Sequence, residues 1–297
     1  MRLDATAVAA GLQLLALEQC GSTNEEALQR ARRGERRPLW ITADTQTAGR
    51  GRKGRFWTSP PGNLHASLLV FDPSPIERAP ELAFVSALAV RDAIIAEAPT
   101  LAPGLGFKWP NDLLLGGEKC AGILIEGDNE LSDNDVADNA LPMALTAVIG
   151  IGVNCAHHPP AASSGRAVEA DPMPPGRFRE DTVLFPATDL RVHGADVTPP
   201  QLFARLSATM CRRLAQWDRG RGFSAILGDW ISAACGIGEM IVVRNGTSDK
   251  TGRFVGLDPS GRLILEAAGG KIEKIAAGDV FPFALRGVRR EPNQQAE

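Results

Sequence analysis

Apolar positions recur along the chain at two spacings, every third or fourth residue in some segments and in short continuous runs in others. Together they predict a protein of mixed helices and strands. Ser22-Thr23-Asn24 followed by two glutamates is typical of a capped helix start, and Gly34 of its end. Helical spacing predicts further helices over 81–98, 199–217 and 222–234. Apolar runs predict strands at 39–43, 65–71, 120–127 and 145–153, with two short extended pieces within 106–115.

The pattern changes after Gly236. Short strands at 239–244, 252–257, 262–267 and 271–276 are separated by Asn-Gly, Asp-Pro-Ser-Gly and Gly-Gly turns. This spacing predicts a small β-barrel of roughly fifty residues. We therefore divide the chain into a larger domain, 1–235, and a C-terminal barrel domain, 236–297.

Three segments fall outside the regular pattern. Residues 7–17 resemble the apolar core of a signal peptide, but Glu18 and Gln19 stand before Cys20, so we predict an amphipathic or extended packing segment. The acidic stretch 128–139 predicts a solvated hairpin loop. The stretch 156–181, rich in Pro, Ala, Ser and Gly, predicts an irregular loop.

Composition narrows the functional classes. The 297 residues include 32 Lys and Arg against 35 Asp and Glu, a formal charge of −3, so there is no global positive field to hold a nucleic-acid backbone. No run of about 18 apolar residues exists, so we expect no membrane span. The five cysteines are odd in number and well separated, which argues against a disulfide framework. We expect a cytoplasmic protein.

A glycine- and arginine-rich run, G-R-G-R-K-G at 49–54, is a strong local signal. It fits G-x-G-x-x-G, but prolines at 60 and 61 forbid the helix that a dinucleotide-binding loop needs. Its cations are Arg50, Arg52, Lys53 and Arg55. A solvated basic loop would explain them, and so would a nucleic-acid patch in which Trp40, Phe56 and Trp57 stack on bases. In an acidic protein, glycine freedom and forked arginine donors suit a compact anionic ligand better, and such a loop can order on its ligand.

The segment Lys108-Trp109-Pro110-Asn111-Asp112 lies between two apolar strand pieces. Turn chemistry explains Pro-Asn-Asp about as well as function does. Lys119 follows Asp112 by seven residues, and a strand–turn–strand hairpin would bring the two together. An aspartate beside a lysine and an arginine loop can hold Mg²⁺ against phosphates.

Several blocks of the sequence together resemble bacterial biotin–protein ligases, the biotin–[acetyl-CoA-carboxylase] ligases. Each block alone is modest, but their joint order and approximate spacing are specific. The blocks are Ser22-Thr23-Asn24, Gln46 to Trp57, Gly62-Asn63-Leu64, Lys108 to Asp112, Lys119 to Leu124 and Gly150 to Asn154.

This resemblance implies an α+β fold, with a mixed sheet and helices similar to class II aminoacyl-tRNA synthetases, followed by an SH3-like barrel. It implies an AMP-forming ligase that makes biotinyl-5′-AMP and pyrophosphate from biotin and ATP, and then transfers biotin to a lysine. The expected acceptor is the biotin carboxyl carrier domain of acetyl-CoA carboxylase or of another biotin-dependent carboxylase. The 21 residues before Ser22 are too few for a winged helix-turn-helix, so we expect no DNA binding, and either a monomer or a homodimer.

The resemblance also implies roles for individual residues. The expected biotin site comprises Ser22, Thr23, Asn24, Gln46, Arg50, Gly51, Arg52, Lys119 and Gly122. The expected ATP site comprises Arg50, Arg52, Arg55, Trp57, Lys108, Asn111, Asp112 and Asn154. The expected catalytic residues are Arg52, Lys119 and Asp112, with Asp112 also a Mg²⁺ ligand. Two alternatives stay open: a lipoate or octanoate ligase of the same superfamily, and a nucleic-acid-binding protein that uses the Gly-Arg run.

Overall fold

The computed structural model describes residues 1–71, 73–128, 146–160, 186–245 and 248–282. A seven-stranded mixed sheet has the order β1-β2-β3-β7-β6-β5-β4, in which β1 and β2 are parallel and the other neighbours antiparallel. Its strands are β1 (Gln13–Cys20), β2 (Leu39–Gln46), β3 (Leu64–Phe71), β4 (Leu105–Lys108), β5 (Asp112–Leu115), β6 (Glu118–Asp128) and β7 (Thr146–Val153).

Helices cover both faces of this sheet. They are α1 (Ala5–Ala9), α2 (Thr23–Arg32), α3 (Glu81–Glu97), α4 (Pro199–Trp217) and α5 (Phe223–Ile231). The start of α4 is fixed by a capping box, in which the side chains of Thr198 and Gln201 satisfy each other's backbone amides. The large core contains apolar residues of α3, α4 and α5, and a smaller cluster lies under α2.

Strand alternation assigns residues to the two faces. Leu68 of β3 belongs to the large core, whereas its neighbour Leu69 belongs to the cluster under α2 together with Val148 of β7. Because side chains alternate along a strand, residues two and four positions away share the same face. The α2 face of the sheet therefore also carries Ser67 of β3 and positions 150 and 152 of β7.

The C-terminal strands form a five-stranded antiparallel sheet in the order β11-β10-β9-β8-β12. They are β8 (Met240–Asn245), β9 (Ser248–Leu257), β10 (Leu263–Glu266), β11 (Ile272–Ile275) and β12 (Asp279–Pro282). This barrel contacts the larger domain, since the Trp109 indole N–H donates to the Gly261 carbonyl at 2.9 Å. None of the helices in the described parts of the chain is long and apolar enough to cross a membrane.

The mixed sheet, the helices and the C-terminal barrel confirm the predicted fold class. The segment 7–17 is divided between the short helix α1 and the edge strand β1, and the partly buried residues of β1 agree with an extended packing segment. The fifth barrel strand, β12, was not predicted. The predictions for 128–139 and 156–181 lie outside the described residues, apart from Asp128 at the end of β6 and the irregular residues 156–160. The division at residue 236 stays a prediction.

Candidate functional site

Glycines leave part of the α2 face of the sheet without side chains. Gly122 of β6 and Gly152 of β7 are register partners in neighbouring strands, and Gly150 lies two residues away on the same face. A Cβ at position 152 would lie 2.5 Å from the Trp57 ring, and one at position 122 would lie 3.0 Å from it. We call Gly122, Gly150 and Gly152 the glycine floor. Because these residues have no side chains, the side chains above them pack directly against the strand backbone.

Hydrogen bonds tie the start of α2 to β2 and β3. Gln46 Oε1 accepts from the Thr23 backbone N–H at 2.8 Å and from the Thr23 hydroxyl at 3.1 Å. The amide nitrogen of Gln46 donates to Ser59 Oγ at 2.8 Å. Ser67 Oγ lies 2.7 Å from Thr23 Oγ1 and 2.5 Å from Asn24 Oδ1. These buried polar contacts fix one orientation for α2 above the floor.

Arg50 extends this network from the Gly-Arg run. Asn24 Nδ2 donates to Glu126 Oε2 at 2.7 Å, and the same oxygen lies 3.1 Å from the Arg50 guanidinium. Arg50 also pairs with Glu25 at 3.2 Å. Ser22, the residue before α2, is buried, and its side chain makes no capping hydrogen bond. The structure thus brings five predicted biotin-site residues together: Ser22, Thr23, Asn24, Gln46 and Arg50.

A second group of charges surrounds Asp112 at the start of β5. Lys108 Nζ lies 3.1 Å from Asp112 Oδ2. Lys119 Nζ lies 2.6 Å from Asp112 Oδ1, a second ion pair at the same carboxylate. Burial by itself raises the pKa of Asp112, but the two lysines outweigh burial and hold that pKa well below its usual range. Burial lowers the pKa of Lys119, although Asp112 opposes this change.

Arg52 completes the group. Its guanidinium donates to Asn111 Oδ1 at 2.9 Å and to the Gly278 carbonyl of the barrel at 3.3 Å. Asn111 is in turn fixed to β6, because its amide nitrogen donates to the Ile123 carbonyl at 2.6 Å. We call Lys108, Lys119 and Arg52, with Asp112 and Asn111 between them, the cation cluster.

Trp57 and Lys119 join the cation cluster to the glycine floor. Lys119 Nζ lies 5.3 Å from the centre of the Trp57 ring, and a Cβ at position 122 would lie 3.2 Å from that ammonium. The Trp57 indole N–H is buried and has no hydrogen-bond partner among the described residues. A ligand on the floor would therefore contact the ring and the ammonium together.

Three of the predicted residues lie at the periphery. Gly51 shapes the loop, since its backbone N–H donates to the Arg55 carbonyl at 2.7 Å. The Arg55 guanidinium points to the barrel and pairs with Asp279 at 2.9 Å. The Asn154 side chain is buried and donates to the Thr188 carbonyl at 3.0 Å, which fixes the chain after β7. The ATP contacts of Arg55 and Asn154 stay predictions.

Sequence reasoning missed three residues of this site: Ser67, Glu126 and Asp279. The first two carried a signal, because each is a polar residue inside an apolar strand and lies on the α2 face. Asp279 carried none, since its contact joins residues more than two hundred positions apart.

The residues present do not fit Asp112 as a free magnesium ligand. Both its carboxylate oxygens are occupied by ammonium groups, and Mg²⁺ requires accessible oxygen atoms. Within the described ranges, no cluster of three or more His, Cys, Asp or Glu side chains could hold a metal ion. The side chains around Asp112 therefore do not support the expected Mg²⁺ assignment, and the proposed function gives Asp112 no part in binding this ion.

Comparison with known proteins identifies the family. The Biotin/lipoate A/B protein ligase family matches residues 18–132, and the biotin protein ligase C terminal domain matches residues 236–281. The chain is 37% identical over 266 residues to a biotin–[acetyl-CoA-carboxylase] ligase of Paracoccus denitrificans. The alignment covers 89% of this chain and 98% of that protein. A ligase of the same name from Mycobacterium tuberculosis is 31% identical, over 90% of this chain and 88% of its own length.

The fold agrees with these sequence matches. A biotin protein ligase from Aquifex aeolicus, solved in complex with biotin and ATP, superimposes with a TM-score of 0.65 at 23% identity, over 91% of this chain and 97% of that one. Both domain types occur here in the same chain, and one ligase is aligned over nearly its whole length. The chain therefore belongs to the biotin protein ligase family.

Proposed function

We propose that this protein attaches biotin to a lysine of a biotin carboxyl carrier domain at the expense of ATP. In the first step, the biotin carboxylate attacks the α-phosphate of ATP, which forms biotinyl-5′-AMP and releases pyrophosphate. In the second step, the neutral amine of the acceptor lysine attacks the mixed anhydride. An amide forms, AMP leaves and the amine loses a proton. The convergence of Lys108, Lys119 and Arg52 beside the glycine floor carries this proposal.

The cation cluster offsets the repulsion between the two anions that react in the first step. A carboxylate and a phosphate are both anions, so their approach is unfavourable until fixed positive groups stabilise the charge of the transition state. Lys119 lies over the edge of the glycine floor, where an anionic ligand on the floor would meet it. Arg52 is held by Asn111 on the loop side of the same cluster. Both cations are therefore positioned before a ligand arrives, so little reorganisation is needed during the reaction.

The polar start of α2 suits the neutral head group of biotin. A cyclic urea presents two N–H donors and a carbonyl acceptor, and amide and hydroxyl groups can satisfy both kinds. The side chains of Ser22, Thr23 and Gln46 supply such groups between α2 and β2. The glycine floor lies between these polar groups and the cation cluster. The Trp57 ring and the Asn24 side chain cover the floor, so both would move aside for a ligand that lies across it with its carboxylate at Lys119.

The Gly-Arg run protects the intermediate. A mixed anhydride hydrolyses in water, and a loop that covers the site excludes water and retains the intermediate. Arg50 and Arg52 anchor the two sides of the run, to Glu126 and to Asn111.

Asp112 acts by positioning Lys108 and Lys119. A carboxylate whose pKa is held low by two ammonium groups is a weak general base, so we do not assign it the proton of the acceptor lysine. Its role is to keep two like charges close together at one side of the floor.

Two alternatives are less favoured. The C-terminal match is to biotin ligases, whereas the family of the larger domain also includes lipoate enzymes. The cations of the Gly-Arg run are paired with groups of the protein itself, Glu25, Glu126, Asn111 and Asp279 among them, which does not suit a nucleic-acid surface.

One experiment tests the proposal directly. The protein is incubated with MgATP, a biotin carboxyl carrier domain and either biotin or lipoate, and the carrier is analysed by mass spectrometry. We expect the mass of one biotinyl group on one lysine. No modification with either acid, or a preference for lipoate, would contradict the proposal.

A further inference from the structure

The Gly-Arg run is bound on two sides by different domains. Arg50 and Arg52 contact side chains of the larger domain, Glu126 and Asn111. Lys53 and Arg55 instead turn to the barrel, where Asp279 Oδ2 lies 3.3 Å from Lys53 Nζ and Asp279 Oδ1 lies 2.9 Å from the Arg55 guanidinium. The cations of one short loop are therefore shared between two domains.

Asp279 is well placed for this contact. It begins the barrel strand β12, whose backbone is fixed by antiparallel pairing with β8. Its side chain is 13% exposed, so its charge is poorly screened by water. Burial by itself raises the pKa of Asp279, but Arg55, Lys53 and Arg52 together hold the pKa below its usual value. The carboxylate is therefore ionised at neutral pH, and each of its oxygens contacts one cation of the loop.

The loop conformation requires such an anchor. Lys53 has a φ of 56°, in the left-handed region that residues with a Cβ seldom adopt, and Gly54 follows at a φ of 71°. A non-glycine residue such as Lys53 stays in the left-handed region only when surrounding contacts hold it there. The ion pair of Lys53 with Asp279 and the pairing of Gly51 with Arg55 are contacts of that kind.

We propose that Asp279 of the barrel is a positioning residue for the Gly-Arg run, holding Lys53 and Arg55 so that Arg50 and Arg52 cover the site and retain the acyl-adenylate. The barrel carbonyl of Gly278 supports the same arrangement, because it accepts from Arg52 at 3.3 Å. This inference rests on the proposed function for the nature of the retained intermediate. The position of the loop itself does not depend on that function.

The first measurement is independent of activity. Trypsin cleaves after lysine and arginine, so the rate of cleavage within residues 50–55 of the ligand-free protein reports how firmly the run is held. We expect Asp279→Asn to raise this rate about fivefold, the scale of losing a partly buried charge contact. Glu273→Gln is the matched control, since Glu273 is a barrel carboxylate that also holds two cations, Lys250 and Lys271. We expect no change in loop cleavage for the control.

The second measurement follows the intermediate. Without an acceptor, steady-state pyrophosphate release is limited by escape of biotinyl-AMP, whereas a single turnover measures adenylation itself. We expect Asp279→Asn to raise the steady-state rate about fivefold relative to the single-turnover rate. A variant that only lost folded protein would lower both rates equally. Asp279→Glu keeps the charge and is expected to restore most of the wild-type ratio.

The outcomes separate the possibilities. Faster loop cleavage together with faster escape supports the proposal. Arg55→Gln removes the contact from the loop side and is expected to reproduce both results even if Asp279→Asn fails to fold, with cleavage compared after Arg50, Arg52 and Lys53, the sites that this variant keeps. Unchanged cleavage in both variants overturns it, and so does faster cleavage without faster escape. If the wild-type protein forms no acyl-adenylate, the proposed function fails, while the cleavage rates still decide whether Asp279 holds the loop.

Discussion

Replacement of Asp112 with asparagine removes a buried charge and keeps the size of the side chain. Asp112 is 8% exposed and lies 3.1 Å from Lys108 Nζ and 2.6 Å from Lys119 Nζ. In the variant, two ammonium groups remain close together with no carboxylate between them. Removing one member of a buried ion pair destabilises a protein by about 3–5 kcal/mol, because the charge that remains buried loses its counter-charge.

The expected loss lies at the lower end of that range. The Lys119 side chain is 25% exposed, so water compensates for part of the missing carboxylate. We expect the free energy of unfolding to fall by about 3 kcal/mol. Urea unfolding at neutral pH measures it, with Asp196→Asn as the control. Asp196 also pairs with an arginine, but its side chain is 84% exposed, so we expect a change within about 0.5 kcal/mol.

The difference in unfolding free energy between the wild-type protein and Asp112→Asn should decrease as the pH becomes acidic. The pKa of Asp112 is lower in the folded protein than in the unfolded chain, so its contribution is fully present above the unfolded value of about 3.9. The contribution declines as pH falls below that value toward the folded pKa. We therefore expect the gap in unfolding free energy to narrow below about pH 4. A gap under about 0.5 kcal/mol at neutral pH, or one that widens in acid, would refute the reasoning.

Three further predictions concern activity. Lys119→Ala should lower biotin-dependent ATP–pyrophosphate exchange by about 100-fold or more, because a fixed cation beside the reacting anions is lost; a wild-type rate would contradict its role. Arg52→Gly should release biotinyl-AMP, which would label exposed lysines of a bystander protein, detected by avidin blotting. Labelling confined to the acceptor would contradict the role of the Gly-Arg run in retaining the intermediate. Gly150→Ala should raise the KM for biotin about tenfold, because a Cβ there collides with Asn24 Oδ1. The KM for ATP should stay within twofold. Equal changes in the two KM values would contradict the placement of biotin and ATP in separate parts of the site.

Much of the fold could be predicted from the sequence because its elements carry strong local patterns. The helix predicted over 199–217 has those bounds in the structure, and the strand predicted at 145–153 corresponds to β7, Thr146–Val153. Strand β12 was missed because Asp-Val-Phe-Pro is short and lacks alternation, and its pairing with β8 compensates for a weak local preference. The parallel pairing of β1 with β2 is likewise a tertiary outcome that no local pattern contains.

The candidate site shows the same division. Lys119 and Asp112 lie seven residues apart across a hairpin, so sequence reasoning could bring them together, and the structure places their charged atoms in contact. Which domain each cationic side chain of the Gly-Arg run contacts could not be predicted, because the contacted residues lie far along the chain. The contact of the Arg55 guanidinium with Asp279 of a barrel strand was not predicted, and the expected contact of Arg55 with ATP stays a prediction.

The Lys108–Asp112 segment has a further consequence for how the chain unfolds. Its charged ends belong to the cation cluster, while the buried Trp109 ring donates its indole N–H to a barrel turn at Gly261. Phe84 of α3 also lies against that turn. Melting of the barrel would leave an apolar ring uncovered and its donor without a partner. The two domains should consequently melt together, as a single heat-absorption peak in scanning calorimetry and not as two.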